Sequence, residues 1–307
     1  MAGKRKVDKK LIYLIIILVI AICSALGVGN FDKIFGEEYP FESTETVTTN
    51  MLNVHYIDVG QGDCTLIECE GLYMLIDAGE NGHEQQVLNY LNSHGVEKLD
   101  YVIATHQHSD HIGGMAEVLE EFEIANIIMP RLTQAQTPTN TTYKAFLNAV
   151  QASGAKVIAS KVGAEYDFAG AKFEIYGPVT NDAEDINNMS VVVKITYGET
   201  SFLFTGDAET EEEKEVLETG ALLDSDVLHL GHHGSYTSSC KDFLNAVTPE
   251  ICVISCGADN DYGHPHDAAL KRVAKHTEEV YRTDICGSII IQSDGVNLDV
   301  NYENSGV

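Results

Sequence analysis

The chain has 307 residues, with 47 acidic against 19 basic side chains and a formal net charge of −28 at pH 7. That balance speaks against unspecific binding to a polyanion such as DNA, whose affinity comes largely from Lys and Arg on phosphates. The length admits one large layered domain or two smaller ones. The seven cysteines match neither the spacing of a zinc ribbon nor a compact disulfide scaffold, so buried free thiols are expected.

Residues 1–10, MAGKRKVDKK, are basic, and residues 11–31, LIYLIIILVIAICSALGVGNF, are uncharged and long enough to cross a bilayer core. The apolar run exceeds the h-region of a cleavable signal peptide and ends in no small-x-small site. A transmembrane signal anchor is therefore expected, with a cleaved signal peptide and secretion as the alternative. Lys4, Arg5, Lys6, Lys9 and Lys10 then stay in the cytoplasm, and the chain from about Phe31 onward lies outside the cell membrane. Residues 32–50 are polar, acidic and rich in Thr, which reads as a tether.

A single domain is expected over residues 51–307. Short apolar runs recur there, among them LNVHYIDVG, LYMLIDAG, LDYVIAT, SFLFTGD, SDVLHLGHHG and EICVISCG, most ending in Gly, Asp or Thr as strands entering loops do. Between them EQQVLNYLNSHG, GGMAEVLEEF, TTYKAFLNAVQASG, AETEEEKEVLETG, KDFLNAV and HDAALKRVAKH carry helical spacing. Strand pairs near both ends with helices interspersed predict an α/β (α+β) fold with a sheet-on-sheet core flanked by helices.

The stretch THQHSDHIGG, residues 105–114, follows a strand-like run and precedes a helical one, so its histidines fall in a strand-to-helix loop. There His106 and His108 can point one way while Asp110 and His111 point another, giving two adjacent ligand sets. Imidazole with carboxylate suits two divalent metal ions: zinc first, manganese or iron as alternatives. Further donors stand at later strand ends: Asp207 in FLFTGD, placed to bridge two cations, His232 and His233 in VLHLGHHGS, and His264 and His266 in the loop carrying GHPH. Strand exits are where a sheet-based fold builds a site.

These residues resemble the metallo-β-lactamase superfamily through the HxHxDH loop. More narrowly the chain is similar to the metallo-hydrolase domain of the ComEC/Rec2 family, through HYIDVGQGDCTLIE, LIDAG, THQHSDHIGG, NNMSVVVKI, FLFTGD, LHLGHHGS and GHPH in that order. The resemblance implies a four-layer αββα sandwich with a dinuclear site at one edge of the two sheets. DNA uptake is not expected to come with it, because the many membrane spans of the ComEC proteins are missing from this sequence. Where the superfamily supplies a histidine before the bridging aspartate, this chain has NNMSVV. The resemblance then implies His106, His108 and His233 on one metal, Asp110, His111 and His264 on the other, and Asp207 between them. His232 is expected to face the substrate.

Asp63 and Asp77 are expected to orient metal-bound imidazoles, or else to be turn residues at strand ends. Asn188 and Ser190 are expected to hydrogen-bond a substrate oxygen, and His232 or His266 to serve the leaving oxygen, with Asp207 orienting the attacking hydroxide. The expected reaction is phosphodiester hydrolysis of nuclease type. A cell-wall or lipid phosphodiester is the runner-up, since its cationic head group suits an acidic surface and Tyr236 and Tyr262; β-lactam hydrolysis ranks third. Stable nucleic-acid binding is not expected, for the densest basic patch, KRVAKH, reads as one solvated helix face. A reading of another class is a non-catalytic surface domain that binds metal or a partner.

Overall fold

The computed structural model describes residues 51–304, so the expected anchor over 11–31 and tether over 32–50 lie outside the described residues. Two sheets face each other. The first holds β1 (Leu52–Tyr56), β2 (Thr65–Cys69), β3 (Leu72–Ile76), β4 (Lys98–Ile103), β5 (Glu123–Met129) and β6 (Lys156–Ala159), extended at the β1 side by two late strands. The second holds β7 (Glu165–Phe168), β8 (Ala171–Ile175), β9 (Val193–Tyr197), β10 (Thr200–Phe204), β11 (Val227–His229), β12 (Ile251–Ile254) and β13 (Glu279–Arg282). The late strands of the first sheet are β14 (Ile289–Ser293) and β15 (Leu298–Tyr302), giving the order β15-β14-β1-β2-β3-β4-β5-β6 opposite β13-β12-β11-β10-β9-β8-β7.

Side chains from the two inner faces, including Val54, Tyr56, Ile67, Phe173, Phe202, Phe204 and Ile291, form the central core. The outer face of the first sheet is covered by α1 (Glu84–Ser93), the single turn α2 (Ser109–Ile112), α3 (Met115–Glu121) and α4 (Thr141–Ser153), with Val87, Leu91, Val118 and Phe146 packed on Leu66, Leu75 and Val102. The second sheet carries α5 (Thr210–Glu218), α6 (Lys241–Val247) and α7 (Asp267–Val273), with α8 (Thr283–Cys286) a short turn after β13. There Val216, Phe243, Leu244 and Val273 meet Leu203, Leu228 and Cys252. The expected mixed α/β sandwich is thus present, helices on both sides of two sheets.

Covering both faces explains why β10, TSFLF, is buried at all five positions. The edge strand β15 alternates instead between half-buried and exposed side chains, and it was not anticipated from its sequence, nor were β7 and β13. The four cysteines Cys64, Cys69, Cys252 and Cys256 are buried free thiols as expected, while Cys240 and Cys286 are free and half-buried. Among the described residues no helix is long and apolar enough to cross a membrane.

Candidate metal centre

Most predicted donors lie just past the C-terminal end of a strand or in the loop after it. Asp77 follows β3, His106 follows β4, Asp207 follows β10, and His232 and His233 follow β11. The register makes these ends coincide: Ile76 pairs with Ile103 in one sheet, and Phe204, His229 and Val253 stand side by side in the other. Backbone bonds then tie the loops together, the Asp63 amide donating to Asp110 O (3.1 Å) and the Ala78 amide to His111 O (2.7 Å).

The helix starts earlier than expected. Asp110 and His111 sit within α2, and the two glycines come after it. A Cβ on Gly113 would lie 2.2 Å from the Asn81 amide nitrogen, and one on Gly114 2.5 Å from Ala78 O. The glycines thus let α2 and α3 press against the turn that carries Asp77.

Asp77 is fully buried at φ +58°. Its carboxylate accepts from the Thr105 amide (2.8 Å), the Thr105 hydroxyl (2.6 Å) and His111 Nδ1 (2.7 Å). With Nδ1 so engaged, His111 turns Nε2 to Asp207 Oδ1 at 3.1 Å. His233 repeats the arrangement: Nδ1 donates to Ser255 O (2.9 Å) beside Asp63 Oδ1 (3.2 Å). Its Nε2 faces Asp110 Oδ2 (3.3 Å) and Asp207 Oδ1 (3.6 Å). The other oxygen of Asp207, Oδ2, faces His106 Nε2 (3.6 Å) and His232 Nε2 (3.7 Å), and His108 Nδ1 stands 3.1 Å from His106 Nε2.

The structure therefore divides the double histidine the other way from expectation. His233 belongs with Asp110 and His111, and His232 stands on the His106 side. The physical reason is the backbone, for His232 and His233 both occupy the left-handed region at φ 52° and 53°. His232 and His233 thus follow one tight turn and both reach the site, instead of pointing to opposite faces as on a strand.

Two donor groups result, Asp110, His111, Asp207 and His233, and His106, His108 and Asp207, the ligand atoms of each lying within 4.8 Å of one another. These residues suit divalent cations on grounds of their own pairing. His111 Nε2, His233 Nε2 and Asp207 Oδ1 are buried without a hydrogen-bond partner, a costly state that an ion between them relieves. Their protonation says the same. Burial opposes charge on all three, yet Asp207 holds His111 and His233 well above the usual imidazole range, and those imidazoles hold Asp207 well below the usual carboxylate range. The pocket calls for positive charge beside Asp207, and bound protons answer that demand where no cation does.

Other predicted residues fall elsewhere. His264 joins neither group; its ring packs 5.4 Å from His232, 6.0 Å from His233 and 5.6 Å from Tyr262, centroid to centroid, and burial followed by the charge of neighbouring imidazoles brings it down to about 4. His266 packs against it at 4.9 Å between ring centroids, accepts from the Tyr236 amide at its Nδ1 (3.2 Å) and does not line the cavity over the donors. Asn188 and Ser190 are buried and already used: Ser190 Oγ accepts the Asp207 amide and Asn188 Oδ1 the Glu209 amide, each at 3.0 Å. They build the turn that presents Asp207 and do not line the cavity over the donors.

Two residues near the site were missed. His229, inside β11, is buried with Nε2 2.9 Å from Ser255 Oγ and 3.8 Å from Asp63 Oδ1; its place in the motif VLHLGHHGS was the available signal. Glu209, two residues after Asp207, meets His232 Nδ1 at 3.2 Å, and nothing in the sequence marks it among the glutamates after it.

Over the donors opens a cavity of ≈ 730 Å³, lined by His108, His232, His264, Tyr262 and the Gln136–Asn140 loop. No Lys or Arg among the described residues lines it.

Competence protein ComA of Neisseria gonorrhoeae is 32% identical over 283 residues, covering 89% of this chain and 38% of that protein. ComE operon protein 3 of Bacillus subtilis (strain 168) is 30% identical over 254 residues, covering 77% of this chain and 32% of that protein. The chain thus spans a minor part of the length of these curated relatives. Among solved structures, CmlA, a diiron β-hydroxylase from Streptomyces venezuelae, superposes with a TM-score of 0.52 at 14% identity, over 75% of this chain and 52% of that one, a likeness of fold alone. The family model described as Metallo-beta-lactamase superfamily matches residues 57–258, which takes in the HxHxDH turn and the strand ends bearing Asp207, His232 and His233; the chain belongs to the metallo-beta-lactamase superfamily.

Proposed function

We propose that the chain is a dinuclear-metal hydrolase that cleaves phosphodiesters, carried outside the cell membrane by the segment 11–31. The observation that carries this reading is the placement of Asp207, one oxygen against His111 and His233 and the other against His106 and His232. Asp110, His111 and His233 would hold one ion, His106, His108 and His232 the other, and Asp207 both. Two divalent ions of the zinc, manganese or iron kind supply a Lewis-acid field that polarises a phosphoryl oxygen and acidifies water.

The chain's own groups do the rest. Asp77 keeps a proton on Nδ1 of His111, and Ser255 O, with Asp63 beside it, keeps one on Nδ1 of His233, so that both Nε2 lone pairs face inward. His264, kept neutral in the cavity wall, offers a ring N–H as hydrogen-bond donor to the leaving oxygen. No serine or cysteine nucleophile is required.

Nuclease-type chemistry is the reading that the ComEC-type resemblance supports. A second reading, a small phosphodiester with a cationic head group, is favoured by the cavity wall, which offers neutral amides, hydroxyls and the ring of Tyr262 but no basic side chain for neighbouring phosphates. Metal content and turnover of bis(p-nitrophenyl) phosphate test the reading. Expected are two ions per chain and activity lost on chelation and in Asp207→Asn. Full turnover by a metal-loaded Asp207→Asn variant, or a chain that takes up no metal, would overturn it.

A further inference from the structure

We infer that Glu209 is a positioning residue for His232, fixing which ring nitrogen keeps the proton and so turning the exposed half of the double-histidine turn into a metal donor. The inference rests on the metal-hydrolase reading of the site.

Glu209 Oε1 lies 3.2 Å from His232 Nδ1, with both side chains 21% exposed. A neutral imidazole has one N–H and one lone pair, and a carboxylate can only accept. Pairing Nδ1–H with Glu209 therefore leaves the Nε2 lone pair, which faces Asp207 Oδ2 at 3.7 Å. Asp77 does this for His111 from full burial, while at His233 the Nδ1 proton goes to Ser255 O with the Asp63 carboxylate beside it. Glu209 makes a third carboxylate–imidazole pair at the same centre, on the side open to the cavity.

Three further observations separate this contact from a casual surface ion pair. Glu209 stands at the N-cap of α5 without capping it, so its carboxylate is not engaged by the helix. Its amide donates to Asn188 Oδ1 while the Asp207 amide donates to Ser190 Oγ, so Glu209 and the bridging aspartate hang from one turn. That turn also accepts the His232 amide through Gly206 O at 3.0 Å. His232 is thus gripped by residues 206–209 through its backbone, its Nδ1 and the oxygen that its Nε2 faces. Thr237 Oγ1, 3.3 Å from Nδ1, is the other neighbour of that nitrogen, and its hydroxyl can either donate or accept. Of these two neighbours only the carboxylate is confined to accepting, so a proton on Nδ1 is the one arrangement that satisfies it.

The test is zinc titration of the purified, metal-stripped full-length chain against a chromophoric chelator, with cobalt spectra as a second readout. Glu209→Ala is expected to weaken one of the two zinc sites by about 10- to 100-fold, leave the other unchanged and alter the cobalt ligand-field bands. Glu209→Gln, whose amide oxygen can still accept Nδ1–H, is expected to recover most of the loss. In a His232→Ala background Glu209→Ala is expected to add nothing. Wild-type affinity at both sites in Glu209→Ala, or an equal loss in the His232→Ala background, would overturn the inference while leaving the hydrolase reading intact. A wild-type chain that takes up no zinc would overturn both.

Discussion

Asp77→Asn separates what the buried carboxylate does for the fold from what it does for the centre. Asn tolerates the left-handed backbone that Asp77 adopts, and its amide oxygen can still accept the Thr105 amide. The new NH₂ takes the place of Oδ2, where it meets the Thr105 hydroxyl and His111 Nδ1. The hydroxyl can rotate to accept. With an ion bound, His111 can accept only by moving its proton to Nε2, which points at Asp207 Oδ1 3.1 Å away, where the lone pair is needed; in the metal-free chain, where Asp207 keeps a proton on that nitrogen, the bond to His111 is the one lost. At most one charge-assisted bond is lost outright, worth about 1.5–3 kcal/mol. Burial holds the Asp77 carboxyl above its usual range, so removing the charge offsets part of that. A fall in melting temperature of roughly 10 °C or less is expected for a domain of this size. Metal affinity is expected to fall by about 10- to 100-fold, the usual loss for such an outer partner. Thermal melts of the metal-free protein and zinc titration read the two effects. Unchanged zinc affinity at both sites would refute the tautomer argument, and collapse of the fold would refute the claim that the hydrogen bonds re-pair.

Glu212 is buried in α5, accepting the Val179 amide at 2.9 Å through one oxygen while the other has no partner, and burial raises it from 4.5 to about 8. The folded chain binds this proton more tightly than the unfolded one, so the stabilisation is full below pH 4.5 and is lost as pH rises through 8, by up to about 5 kcal/mol at 1.4 kcal/mol per pH unit. Glu212→Gln should therefore match the wild type near pH 4.5 and be the more stable protein at pH 9; equal or lower stability there in denaturant titrations would contradict the assignment. Tyr262→Ala removes the exposed ring over the cavity. For a phosphodiester with a quaternary-ammonium head group KM should rise about 2- to 30-fold, the range of a cation–π contact, with little change for a neutral methyl ester, and equal effects on the two substrates would discard the second substrate reading.

The extent to which this site is legible in sequence depends on which of its features are local. Four potential ligands within His106–His111 declare metal chemistry whatever the fold does around them, and Asp77 is readable because a strand delivers it into a turn. The division of labour between His232 and His233 rests instead on two consecutive left-handed residues that are not glycine, a conformation their residue types do not announce. Asn188 and Ser190 look like substrate-facing polar groups until burial commits them to the amides of the turn they support. Glu209 is hidden for the opposite reason, since it opens a run containing Glu211, Glu212, Glu213 and Glu215, and only distance to His232 distinguishes it. The edge strands β7 and β15 escaped because about half of their side chains are exposed, which dilutes the apolar alternation that reveals a strand. What assembles the centre is register: with Phe204, His229 and Val253 level across three parallel strands, the loops bearing Asp207, His233 and Ser255 leave the sheet at one height. A one-residue slip of β11 would carry His232 and His233 about 3.3 Å along the strand direction, enough to separate Nε2 of His233 from Asp207 and dismantle the bridge, so the packing of Leu228 and Val227 on opposite faces of that strand holds the metal site together as much as its ligands do.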